Sequence, residues 1–248
     1  MNFQDQTVLI TGGSGGIGES IAMRMANLGA YVMITGRNQS KLATIAATNQ
    51  RIQYVGADLQ SPDAYDYIIQ HTLEQFSSLN VLINNAGILD PLTLESATLA
   101  RLQRLFHMHV VAPTLLVQAA LPYLRKSKGH VINIGSSLGH IAQHGQIGYG
   151  TSKAALEQLT KNMAIELADY QIKVNCIAPG PTATNILKTA GFSESEIRQS
   201  NNEMKNMVPL GRRGLPEEIA DIVSKICDPS VRWLTGQILS VDGGMSVA

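Results

Sequence analysis

Short, unbroken apolar runs alternate along this chain with longer stretches whose apolar residues recur every three or four positions. The runs are TVLIT (7–11), AYVMIT (30–35), IQYVGA (52–57), LNVLIN (79–84), HVINIG (130–135), IKVNCIA (172–178) and a last one inside QILSVDGG (237–244). Runs of this length predict parallel strands buried on both faces. Between them lie IGESIAMRMANLG, NQSKLATIAATN, PDAYDYIIQHTLEQF, the long LARLQRLFHMHVVAPTLLVQAALPYL, a stretch starting near Gly148, and PEEIADIVSKIC. Each reads as a helix. Repeated strand–helix units predict an α/β, Rossmann-type fold: a doubly wound, seven-stranded parallel sheet with helices on both faces. Ligands of such sheets bind beyond the carboxyl ends of the strands. Gly12, Asn84, Ser136 and Pro179 are therefore expected along one edge. No linker or repeat interrupts the alternation, so residues 1–248 read as one domain.

Composition adds exclusions. Only 15% of residues are charged and 44% are hydrophobic, which suits a large core. The formal net charge is zero, so no basic footprint argues for nucleic acid or an anionic membrane. Met1 is followed by NFQDQTVLITGG, which has no basic region, signal-length apolar run or cleavage site. No apolar run reaches the ~20 residues that span a bilayer. The expected location is the cytoplasm, without membrane or nucleic-acid partners. Cys176 and Cys227 give no disulfide framework and no metal spacing. His140 and His144 sit in a glycine-containing loop with no third ligand in sight, and no metal site is expected.

Two stretches carry chemistry. The first, TGGSGGIG (11–18), joins the first strand to the first helix. Gly12 permits a tight turn, Gly16 lets the backbone approach a pyrophosphate, and Gly18 lets helix pack on strand. The helix N-terminus offers free N–H groups and a positive dipole end to phosphates. The second is the start of the helix near Gly148, where Tyr149 and Lys153 stand four residues apart and share a face. A free phenol has a pKa of ~10, and a nearby ammonium favours the phenolate and lowers it.

With TGGSGGIG, NNAG (84–87), Ser136, YGTSK (149–153), PGPTAT (179–184) and DGG (242–244), the chain resembles the short-chain dehydrogenase/reductase family, in its single-domain branch. The motifs run from Thr7 to the C-terminus in the family's order. The resemblance implies a nicotinamide-dependent oxidoreductase in which Tyr149 is the proton donor or acceptor. Lys153 holds the nicotinamide ribose as well, and Ser136 polarises the substrate oxygen. The neighbouring Ser137 is expected to face away. An oxidised, positive nicotinamide would lower the Tyr149 pKa further. The same resemblance puts Gly12, Ser14, Gly16, Ile17 and Gly18 at the phosphates, and Asp58 and Leu59 at the adenine. Asn85, Ala86 and Gly87 form the wall at the adenosine ribose. Pro179, Gly180, Thr182 and Thr184 face the nicotinamide and nearby phosphate.

One position departs from the pattern. Where the family has an Asn in a setting like NVxAP, this chain has HVVAP, with His109 in its place. In the family that Asn helps hold a helix irregularity and a water beside the catalytic Lys. An imidazole can also donate and accept, so His109 is expected either to hold the relay water or to pack structurally. His107 faces elsewhere.

Cofactor choice turns on the end of the second strand. ITGRN puts Gly36 where NAD-preferring enzymes carry an acid, with Arg37 next. Loss of the carboxylate removes repulsion of a 2′-phosphate, and Arg offers a bidentate partner. The expectation is NADP(H), with NAD(H) second, although the glycine loop lacks the further basic residue common among NADP-preferring members. For the substrate, Leu138, Gln146 and Ile147 are expected contacts beside Ser136 and Tyr149. Ile141, Ile186, Leu187 and Phe192 are further contacts, and residues 185–214 form a lid.

The chain also resembles 3-oxoacyl-carrier-protein reductases. Tyr170 stands where those enzymes carry an Arg that grips the acidic carrier, leaving Lys126 and Lys128 as candidate basic residues. The family resemblance implies a homotetramer or homodimer. Two other readings are a cofactor-binding protein with weak or no catalysis, acting as redox sensor or structural subunit, and a nucleotide-sugar epimerase. The short stretch after Pro179 leaves too little room for the epimerase's substrate domain.

Overall fold

A computed structural model describes residues 1–248. The chain runs β1 (Thr7–Thr11), α1 (Gly16–Asn27), β2 (Tyr31–Gly36), α2 (Gln39–Ala46), β3 (Ile52–Gly56), α3 (Ala64–Phe76) and β4 (Val81–Asn84). It continues through α4 (Leu99–Phe106), a π-helical turn (His107–Val111), α5 (Ala112–Ser127), β5 (His130–Ile134) and α6 (Tyr149–Glu166). Then come β6 (Lys173–Pro179), α7 (Ile186–Thr189), α8 (Glu194–Met207), α9 (Pro216–Ile226) and β7 (Ile238–Val241). All seven strands are parallel, in the order β3-β2-β1-β4-β5-β6-β7. This is the expected doubly wound sheet, with its order reversing at β1 and β4.

The unbroken apolar runs have a direct cause. Successive side chains of a strand point to opposite faces. Val8, Ile10, Val32 and Ile34 join one core with Ile21 and Met25 of α1 and Ile219 and Val223 of α9. Leu9, Met33, Leu82 and Val131 join a second core with Ile68 of α3 and Leu116, Val117 and Leu124 of α5. Both faces are covered, so Val8, Leu9 and Ile10 of β1 and Val32, Met33 and Ile34 of β2 are all apolar and fully buried.

The π turn joins α4 and α5 into one continuous run, Leu99–Ser127, whose most apolar window has a mean hydropathy of 1.3. By length and composition this run is sufficient to cross a membrane, which the sequence reading did not anticipate. Its Leu105, Met108, Ala112, Leu116 and Leu124 are buried within the domain.

Candidate active site

A cleft of about 560 Å³ opens at the carboxyl edge of the sheet. Its walls include Gly12, Ser14, Gly16, Ile17, Arg37, Asp58, Leu59, Asn85, Ala86 and Gly87. Ser136, Leu138, Gln146, Tyr149, Lys153, Pro179, Gly180, Thr182 and Thr184 complete the set expected there, with Ile186, Leu187 and Phe192 from the segment after β6. Gly18, Ile147, Ile141 and His109 are not on the wall. A Cβ on Gly18 would fall 2.4 Å from the Gly12 carbonyl oxygen, so Gly18 acts behind the loop by letting α1 approach β1. Ile147, two residues before α6 begins, is exposed.

Gly12 has φ +67°, which a side chain would resist. Its turn is braced from a distant strand end. Asn85 Nδ2 donates to the Thr11 and Gly12 carbonyls at 2.9 and 3.1 Å, so this side chain is spent on the loop and only its backbone faces the cleft. Asn84 donates to Asn133 at 2.8 Å, inside the sheet. The α1 N-terminus has no side-chain cap, so its N–H groups remain open to a ligand.

Tyr149 and Lys153 occupy successive turns of α6 and are 9% and 4% exposed. Lys153 Nζ lies 5.7 Å from the Tyr149 ring centroid and donates to the Ile134 carbonyl at 2.8 Å. That single bond orients the ammonium and leaves its other N–H groups for a ligand. Burial pulls the Lys153 pKa down to about 8. Burial also raises that of Tyr149, against a lowering by the hydrogen bond with Ser136. The sequence had suggested a phenol pushed down by its ammonium neighbour. Desolvation dominates at this buried position, and the phenol stays protonated at neutral pH. Ser136 and Ser137 both line the cleft, against the expectation that Ser137 faces away. Ser136 Oγ accepts from the Leu138 N–H at 3.2 Å, while Ser137 Oγ lies against Met245 Sδ at 4.0 Å.

His109 sits in the π turn, 1% exposed. The Ile88 backbone N–H donates to its Nε2 at 3.2 Å. A backbone N–H only donates, so Nε2 carries no proton and Nδ1 does. Nδ1 donates to Ser152 Oγ at 2.8 Å, and Ser152 Oγ donates to the Tyr149 carbonyl at 2.7 Å. Its ring also stands edge-on to that of Tyr149, with centroids 5.5 Å apart. Burial first, then the Lys153 charge, push the His109 pKa well below its ordinary value. Both ring nitrogens are therefore committed to protein partners, and neither is free to hold a relay water. This corrects the water-holding expectation. His107 turns away, with Nε2 3.0 Å from the Leu59 carbonyl oxygen.

Several wall residues were not singled out from the sequence: Lys41 and Met245, His144 in the loop before α6, and Met204, Met207 and Arg213 within the 185–214 segment. Lys41 had the best cue, standing four positions after Arg37 at the start of a helix. The ionised lining comprises Arg37, Lys41, Lys153 and Arg213 against one carboxylate, Asp58. The cleft is thus strongly positive in a chain of zero net charge. Gln146 Oε1 is buried in its side without a hydrogen-bond partner.

A family model described as enoyl-(acyl carrier protein) reductase matches residues 12–246. The short-chain dehydrogenase/reductase FrzI of a Cladobotryum species is 33% identical over 97% of this chain and 96% of its own. FabG of Aquifex aeolicus, a 3-oxoacyl-[acyl-carrier-protein] reductase, is 32% identical with 99% of each chain covered. A short-chain dehydrogenase/reductase of unknown function from Caenorhabditis elegans, crystallised with cofactor, superposes with a TM-score of 0.93 at 32% identity, covering 99% of this chain and 97% of that one. A 3-ketoacyl-(acyl-carrier-protein) reductase from Brucella melitensis complexed with NADH gives 0.91 at 26% identity, with 98% and 99% covered. Likeness in both sequence and fold extends over nearly the whole chain, and this protein belongs to the short-chain dehydrogenase/reductase family of oxidoreductases.

Proposed function

We propose that this chain is an NADP(H)-dependent oxidoreductase that moves a hydride between nicotinamide and a carbonyl or secondary alcohol. One observation carries the reading: Ser136, Tyr149 and Lys153 meet in the wall of the cleft that begins at the glycine loop. The cleft fits a dinucleotide. Its glycines leave backbone open to phosphates, its lining is cationic, and Gly87 is bare where a Cβ would lie 3.7 Å from Lys153 Nζ. The glycine loop, the adenine pair Asp58 and Leu59, and the stretch from Pro179 to Thr184 would hold the cofactor.

A reduced nicotinamide, when bound, supplies the hydride. Tyr149 donates its phenolic proton to the carbonyl oxygen as negative charge builds there, and Ser136 donates a hydrogen bond to the same oxygen. Lys153 holds the ribose hydroxyls with the N–H groups not used on Ile134. A Tyr149 pKa raised by burial keeps the acid loaded at neutral pH, which suits reduction. The weakly catalytic reading is less favoured because all three side chains stand together in the cleft wall. His109 enters as a positioning group.

The NADP(H) preference rests on the absence of an acid at Gly36, with Arg37 beside it and Lys41 one helical turn on. Both are cations suited to a 2′-phosphate. For the substrate, the apolar lid residues Leu187, Phe192, Met204 and Met207 suit an acyl chain or small ketone. The unpartnered Gln146 acceptor suits an N–H or O–H donor on it. A 3-oxoacyl thioester meets both, in keeping with the names of several relatives. Against carrier-protein use, Tyr170, where the carrier-gripping Arg of those relatives would stand, lies under Arg125 at 3.7 Å, which leaves Lys126 and Lys128 as the candidate cations. The open edge of β7 and the fully exposed Trp233 support a homotetramer or homodimer, and the assigned location is the cytoplasm.

The test is a panel of ketones and 3-oxoacyl thioesters, free and carrier-bound, assayed with NADPH and NADH at the reduced-nicotinamide absorbance band. Turnover with at least one carbonyl compound and preference for NADPH are expected. Tight NADPH binding without turnover across the panel would favour the sensor or structural reading instead.

A further inference from the structure

Arg213, between α8 and α9, is a cation without a counter-ion. Its terminal nitrogens donate to Asn201 Oδ1 on α8 and to the Thr182 carbonyl in the loop after β6. No carboxylate pairs with it: the acid at hand, Glu218, is taken by Arg212. Its Nε is buried and has no acceptor. A guanidinium held partly out of water with one donor unsatisfied is costly, and burial accordingly depresses its pKa. Such a group is stabilised by an anion that arrives later.

The surroundings indicate which anion. Arg213 lines the main cleft and also a neighbouring pocket that contains Gly16, Thr184 and Asn185. Gly16 opens α1, and a Cβ there would lie 3.1 Å from Thr184 Cγ2. The loop that Arg213 grips at Thr182 thus passes close to the uncapped N-terminus of α1. Phosphate seated on that N-terminus would meet this loop, and the cation behind it, from the opposite side.

We propose that Arg213 is a cofactor-diphosphate residue that also fastens the lid: it supplies positive charge opposite the glycine loop while holding α8 through Asn201. This rests on the nicotinamide reading above. Arg37 and Lys41 serve the adenosine end, so the two ends are separable. Arg213 charge is useful to NADPH and NADH alike.

The experiment is calorimetric binding to the full chain, wild type and Arg213→Gln. The probes are ADP-ribose, which carries the diphosphate but no 2′-phosphate, and adenosine 2′-phosphate, which carries no diphosphate. Loss of a charged hydrogen bond predicts roughly 10- to 100-fold weaker ADP-ribose, NADH and NADPH binding, with adenosine 2′-phosphate unchanged. In the wild type, ADP-ribose should slow amide hydrogen exchange across residues 194–207 and adenosine 2′-phosphate should not, a readout that needs no variant to fold. If ADP-ribose binds the variant as well as the wild type, or leaves exchange in the lid unchanged, the assignment is overturned. It is equally overturned if only substrates bearing a carboxylate lose affinity in the variant. Failure of the wild type to bind NADPH, NADH or ADP-ribose would instead refute the nicotinamide reading itself.

Discussion

Consider replacing His109 by Phe and, separately, by Asn. Phe keeps a ring of similar size and removes both nitrogens. The Ile88 N–H then points into a buried space with no acceptor, and Ser152 Oγ loses its donor. An orphaned buried donor costs about 1–3 kcal/mol and a lost hydrogen bond about 0.5–1.5 kcal/mol. The sum, roughly 1.5–4.5 kcal/mol, lowers Tm by about 3–18 °C for a domain of this size. Activity should fall too. Ile88 follows Gly87 of the cleft wall, and Ser152 holds the first turn of α6 through the Tyr149 carbonyl. A shift of ~1 Å at Tyr149 is enough to lose about 10²-fold in turnover. Asn restores an acceptor for Ile88 and should retain most turnover. The assays are thermal unfolding and steady-state kinetics from mild acid to mild base. Because burial and Lys153 keep the imidazole neutral, no kinetic limb near the ordinary histidine pKa should belong to His109. Two results would refute this reasoning. One is a His109→Phe protein as stable and active as wild type. The other is an acid limb in the wild-type profile that vanishes in His109→Asn, which would show a titrating, proton-carrying imidazole.

Replacing Tyr149 by Phe should reduce turnover at least ~10²-fold while cofactor affinity by calorimetry stays near wild type; retained turnover would remove Tyr149 from the chemistry. Arg37→Ala should weaken NADPH binding about 10- to 100-fold, the loss of one charged hydrogen bond, and leave NADH nearly untouched; a native protein that binds NADH more tightly would overturn the cofactor assignment. The cofactor-free protein should gain stability as pH rises from about 8 toward the ordinary lysine value. The unfolded chain holds the Lys153 proton through that window and the folded chain has released it. The gain is roughly 3 kcal/mol from the size of the shift. Denaturant titrations of wild type and Lys153→Met should show the rise only in the wild type.

Much of this protein was legible as sequence because the deciding interactions are local. Alternation of Val8 and Ile10 with Leu9, repeated in the neighbouring strands, requires two apolar layers on one sheet. That is a property of strand geometry whatever the loops do. Tyr149 and Lys153 share a face because a helix turns once in 3.6 residues, and Gly12 marks a turn that few other residues tolerate. What remained hidden depends on groups that meet across long stretches of chain. The partners of His109 are 21 and 43 residues away, so an imidazole read as a water holder became a fixed link between the cofactor wall and the catalytic helix. Arg213 reaches the Thr182 carbonyl across 31 residues, and nothing in its neighbours along the chain marks it as a cleft cation. The same reason explains Tyr149. The spacing to Lys153 announced a lowered pKa, but the protonation state follows from how much water is excluded, and that exclusion is the work of walls from β5, α6 and the segments around them. Helical spacing decides which groups are adjacent, and only the assembled fold decides the dielectric in which they sit.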